Sequence, residues 1–112
     1  MKRIEAIIQI GKLEAVQAAL HDADIQGVTV DQVRGYGRQM GKTKGAAKTK
    51  APVLLPKIRV EVVVPDDQLD VAVNAIVGAA KTGEIGDGKI FVSEIVEAIR
   101  IRTDERGDAA LS

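Results

Sequence analysis

Three short segments carry residue types that suit an anion. In Gly35-Tyr36-Gly37-Arg38-Gln39, two glycines let backbone amides come close to a ligand, Arg38 offers a guanidinium fork, and the Gln39 carbonyl oxygen could face a hydrated divalent cation. In Thr82-Gly83-Glu84-Ile85-Gly86-Asp87-Gly88-Lys89, three glycines can fold into a nest of N–H groups, with the Lys89 charge at its exit. In Arg100-Ile101-Arg102, a strand would put two guanidinium groups on one face, where an anion between them offsets their repulsion. Lys57 adds a cation at the start of a predicted strand. Each segment also has an ordinary structural reading: a strand end with turn glycines, a helix-to-strand turn, and a pair of solvated arginines. What favours the ligand reading is agreement, since all three imply phosphate and all sit at strand ends or loops. The Thr82–Lys89 run is not a Walker A loop, which spaces its glycines differently and ends in a hydroxyl residue.

The elements that must position these groups follow from periodicity. Lys2–Ile10 reads as a buried strand, and Lys12–Asp24 as a helix with Leu13, Val16, Ala19 and Leu20 on one face. Val28, Val30 and Val33 belong to a second strand running toward Gly35. Ile58–Val64 is a third strand, and Pro65-Asp66-Asp67 signals entry to a helix over 69–80, with carboxylates at the positive end of its dipole. Lys89–Ile95 is a fourth strand, and the alternation of Ile99 and Ile101 with Arg100 and Arg102 predicts a short fifth. Strand-helix-strand, loop, strand-helix-strand is the split βαβ pattern. The expected fold is α+β, ferredoxin-like, with two helices on one face of an antiparallel sheet. The strands read as apolar on both sides, so the other face needs a cover, most simply further copies of the chain.

Between the halves the composition changes. From Gly35 to Pro56 the chain holds four glycines, five basic residues, two prolines and no acid. A long stretch without periodicity inside a small domain is typically functional or disordered. The chain therefore reads as one domain over 1–112, with a mobile loop at about 37–56 and a polar, frayed tail at about 104–112.

The 112 residues carry 16 basic and 16 acidic side chains, which argues against bulk electrostatic binding of nucleic acid or membrane. There is no cysteine and one histidine, His21, so neither disulfides nor a zinc site of the usual kind is expected. No apolar run approaches the roughly 20 residues that span a bilayer, and no signal peptide is evident. A cytoplasmic location is expected. Two aromatics, Tyr36 and Phe91, are too few for an RNA-stacking sheet.

Ile4–Ile8, Gly27–Val30, Gly35-Tyr36-Gly37-Arg38-Gln39, Leu55-Pro56-Lys57, Thr82–Val92 and Val96–Thr103 together resemble the PII nitrogen-regulatory signal-transduction family, in order and over nearly the whole chain. The Gly86–Val92 run and the Ile99–Thr103 ending are its most specific parts. The resemblance implies a homotrimer binding ATP or ADP in clefts between subunits, a regulator and not an enzyme. Gly35, Tyr36, Gly37, Arg38 and Gln39 would lie along the nucleotide, Thr29 near the base, and Gly86, Asp87, Gly88 and Lys89 at the phosphates. Arg100 and Arg102 would reach in from a neighbouring subunit. Mg2+ would accompany ATP at Gln39, and 2-oxoglutarate would use Gln39 and Lys57. The loop would contact a target protein: a transporter, an enzyme or a regulator.

The departures bear on the particular role. The family usually has a basic residue and then Pro-Phe-Lys after the first strand, where this chain reads Gln9-Ile10-Gly11-Lys12. That basic residue helps hold 2-oxoglutarate, so Gln9 counts against that effector. The loop lacks the modifiable tyrosine and carries Lys42, Lys44, Lys48 and Lys50 instead, which suits an acidic protein surface. Two alternatives follow: a sensor of adenylates or small anions unrelated to ammonium uptake, or a slow ATPase with Glu61 or Asp87 as general base.

Overall fold

The computed structural model describes residues 1–37 and 51–112. Four strands and two main helices alternate: β1 (Lys2–Ile8), α1 (Leu13–Asp22), β2 (Thr29–Gly35), β3 (Leu55–Val64), α2 (Leu69–Ala80) and β4 (Lys89–Glu94). The sheet order is β2-β3-β1-β4, with every neighbouring pair antiparallel. The α+β, ferredoxin-like expectation holds.

Alternation along the strands decides which face the helices cover. Ile4, Ala6 and Ile8 of β1 pair with Val62, Val60 and Ile58 of β3, and all six are buried. Val16 and Leu20 of α1, with Ala72, Ile76 and Ala80 of α2, close over them at helical spacing. Burying each of the larger aliphatic side chains contributes about 1.5–3 kcal/mol of transfer free energy. Asp24 at φ 61° and Gly27 at φ 73° turn the chain out of α1 toward β2. Asp66 and Asp67 lie in a 3-10 turn (Asp66–Gln68) that leads into α2, and Asp66 pairs with Lys2 at 3.3 Å.

Four expectations are corrected. The face away from the helices is largely charged, not apolar. Arg3 bonds Glu61 (2.9 Å) and Glu5 (2.6 Å), and Arg59 bonds Asp31 (2.9 Å), linking three strands by ion pairs. These groups occupy odd positions of β1, β2 and β3, and the even positions of β1 and β3 form the core. There is also no fifth strand among the described residues. Only Ile99 pairs, through a single bridge to Arg106, and the chain turns at 101–103 before Asp104 at φ 61°. The tail, finally, is folded back: Gly107–Leu111 form a 3-10 turn, and Arg100 bonds Glu105 (2.7 Å), the Ala109 carbonyl (3.0 Å) and the Ser112 carbonyl. β3 begins at Leu55, so the final two residues of the expected loop are strand.

Candidate functional site

Strand pairing brings two of the three anion-suited segments together. Gly35 ends β2 opposite Leu55, and Val33 pairs with Lys57. Across the sheet Ile7 pairs with Lys89, and Arg59 with Ile7. By alternation, Ile7, Lys57, Lys89 and Phe91 all project from the face away from the helices. A cleft of about 480 Å³ opens at this end of that face, lined by Gly35, Tyr36, Gly37, Lys57, the Glu84–Lys89 turn, Ile7 and Phe91.

The turn from Thr82 to Gly88 is held from inside by one carboxylate. Asp87 accepts from the Thr82 N–H (2.8 Å), the Gly83 N–H (2.9 Å) and the Thr82 hydroxyl. The Thr82 hydroxyl also accepts from the Glu84 N–H at 3.1 Å. Those donors, the hydroxyl first, hold the Asp87 carboxyl below the ordinary aspartate range. Asp87 thus organises the turn, and its oxygens are engaged by donors. Glu61, the other candidate base, is bonded to Arg3 within the sheet network.

Gly88 is dictated by packing. Its φ is +104°, and an added Cβ would stand 1.7 Å from the Ile7 carbonyl oxygen, so the turn presses backbone to backbone on β1. Gly83 (φ +88°) and Gly86 (φ +107°) take the same left-handed sense. The turn's exit places Lys89 in β4 beside Ile7. The wall of the cleft is therefore backbone, glycine-rich, with Lys57 and Lys89 as its cations, a set that suits a multiply charged anion beside an apolar patch of Ile7, Ile85 and Phe91.

The remaining predicted residues divide. Thr29 lies on the same sheet face but at the opposite end of β2, roughly 20 Å from Gly35 along the strand. Arg100 and Arg102 lie in the 95–112 arm and do not line the cleft; Arg100 is bonded to its own tail and Arg102 is exposed. Arg38, Gln39, Lys42, Lys44, Lys48 and Lys50 fall outside the described residues. Reading the sequence as separate segments missed Ile7 and Phe91 as lining residues. Phe91 was accessible from alternation with Lys89, whereas Ile7 enters only through the β1–β4 register.

The family model described as "Nitrogen regulatory protein P-II" matches residues 1–105. A P-II protein of Rhodobacter capsulatus is 53% identical over 112 residues, spanning 99% of this chain and 100% of that one. P-II 1 of Escherichia coli strain K12 is 49% identical over 112 residues with the same coverage. Among solved structures, Arabidopsis thaliana PII bound to citrate superposes with a TM-score of 0.81 at 39% identity, covering 97% of this chain and 90% of that one.

Proposed function

We propose, from the premise that the chain belongs to the P-II nitrogen regulatory signal-transduction family, that it is a non-catalytic regulator binding ATP or ADP in the cleft at the end of its open sheet face. One observation carries this reading. Two sequence-distant glycine segments and two lysines, each suited to phosphate by residue type, line a single cleft of about 480 Å³. The relative whose structure holds citrate supports a multiply charged anion as the ligand class.

The working unit in this reading is a homotrimer. Thr29, Arg100 and Arg102 cannot complete the cleft from within the same chain, and a neighbour supplies them. Val96 and Ile101 on the same arm are 97% and 96% exposed, large β-branched groups left for another copy to cover. Among the described residues no group of three or more His, Cys, Asp or Glu stands ready to hold a metal ion. Mg2+ would arrive on the phosphates of ATP, facing Gln39. The output is a change in the lysine-bearing loop, Lys42 to Lys50, that alters its hold on a partner with an acidic surface in the cytoplasm, a transporter, an enzyme or another regulator.

Gln9 favours an adenylate or small-anion sensor over a 2-oxoglutarate sensor, because the end of β1 carries a neutral group bonded to the turn. Calorimetry tests both arms. ATP and ADP should each give saturable heat and compete. Adding 2-oxoglutarate to the Mg-ATP complex should give little or none; strong heat there would restore the dicarboxylate sensor, and absence of heat with both nucleotides would end the proposal.

A further inference from the structure

Gln9 follows directly on β1, and its Nε2 donates to the Gly86 carbonyl at 3.2 Å. Lys57 Nζ, from β3, donates to the same oxygen at 3.2 Å. One carbonyl of the glycine turn is therefore held from outside by two donors on different strands, while Asp87 holds the turn from inside. The peptide plane is rigid, so fixing the Gly86 carbonyl also fixes the Asp87 N–H on its opposite edge.

The two donors are not equivalent. Lys57 lines the cleft and Gln9 does not. An anion in the cleft competes with the Gly86 oxygen for the lysine, and the attraction of an ammonium for an opposite charge exceeds its attraction for a neutral carbonyl. A neutral carboxamide outside the cleft has no such competitor.

We propose that Gln9 is a positioning residue of the anion site: it keeps the Gly86 carbonyl, and with it the glycine turn, in place when Lys57 turns to a bound anion. This rests on the cleft being the nucleotide site. Lys57 can thereby serve the ligand without loosening the turn that also holds it.

The test compares wild type with Gln9→Ala, Gln9→Glu, which has the same shape but cannot donate, and Gln9→Lys, which keeps a donor at similar reach. Amide exchange at Thr82, Gly83 and Glu84, whose N–H groups are bonded inside the turn, reads the turn's hold in full-length protein with and without saturating Mg-ATP. Without ATP, Gln9→Ala should exchange close to wild type, because Lys57 remains on the carbonyl. With ATP it should exchange roughly threefold to tenfold faster and bind ATP more weakly by a similar factor, the scale of one lost hydrogen bond. Gln9→Glu should exchange as fast as Gln9→Ala and Gln9→Lys should restore slow exchange, while ATP affinity is compared only between wild type and Gln9→Ala, whose net charge is the same. Equal exchange in wild type and Gln9→Ala under saturating ATP overturns the proposal. Should wild type give no heat with ATP, the nucleotide reading falls by itself. Lys57→Ala against Lys57→Ala/Gln9→Ala then decides the hold: faster exchange in the double variant supports it, and equal exchange overturns it.

Discussion

The Thr82–Lys89 turn and the 95–112 arm contrast in how complete they are. The turn is satisfied within one chain: Asp87 collects three donors, the Gly86 carbonyl accepts from Gln9 and Lys57, and Gly88 seats against the backbone of β1. The arm folds back on itself through Arg100, yet leaves Val96 and Ile101 almost wholly in solvent and Arg102 exposed. In the proposed reading, a region finished within one chain is the preformed half of the site. In the same reading, the arm, its backbone bonded to itself and its aliphatic groups uncovered, meets a surface of a neighbouring copy.

Substitutions can break this contrast. The largest effect should come from Gly88→Ala, where a methyl group meets the Ile7 carbonyl at 1.7 Å; a loss on the order of 2–4 kcal/mol is expected in urea unfolding. Gly83→Ala sharpens the point. Its φ of +88° also disfavours a side chain, but nothing lies within 4 Å, so only about 1 kcal/mol should be lost. On the arm the expectation reverses. Ile101→Ser should shift sedimentation toward smaller species, each lost contact weakening assembly by about 1–2 kcal/mol, while the dissociated chain unfolds as before, within about 0.5 kcal/mol.

The smallest effect concerns pH. The Thr82 hydroxyl and neighbouring N–H groups depress the Asp87 pKa in the folded chain. Its stabilising contribution is therefore full above the unfolded aspartate value and is lost as pH falls through the lower folded value. Asp87→Asn should differ from wild type in unfolding near neutral pH, and the gap should close as the buffer is taken below the usual carboxylate range. A gap that stays constant across that window would assign the difference to shape and not to charge.

The contrast also marks where the sequence was readable. The Ile58–Val64 run and the 69–80 apolar stripe are local patterns with one sensible partner, and they became β3 and α2. The Thr82–Lys89 glycines were legible because positive φ and close backbone approach leave few other residue types. Ile99-Arg100-Ile101-Arg102 misled, since alternation shows that two faces differ but not what covers either; here Asp104 turns the chain and Arg100 meets Glu105 and the tail. The charged face was missed for the related reason that Val62, Val63 and Val64 hide the alternation that Arg59 and Glu61 begin. Gln9 bonding Gly86 lies beyond local reading, because residues 77 apart in sequence meet only after β1 pairs with β4.

A mixing experiment tests the composite site most directly. Chains carrying Lys89→Ala damage the turn's side of the cleft, and chains carrying Arg102→Ala damage the arm, so each homogeneous preparation should bind ATP poorly. If each cleft joins the turn of one chain to the arm of its neighbour, refolding the two together restores intact clefts and measurable ATP binding returns. If the mixture binds no better than its components, the arm does not complete its neighbour's cleft and the account fails.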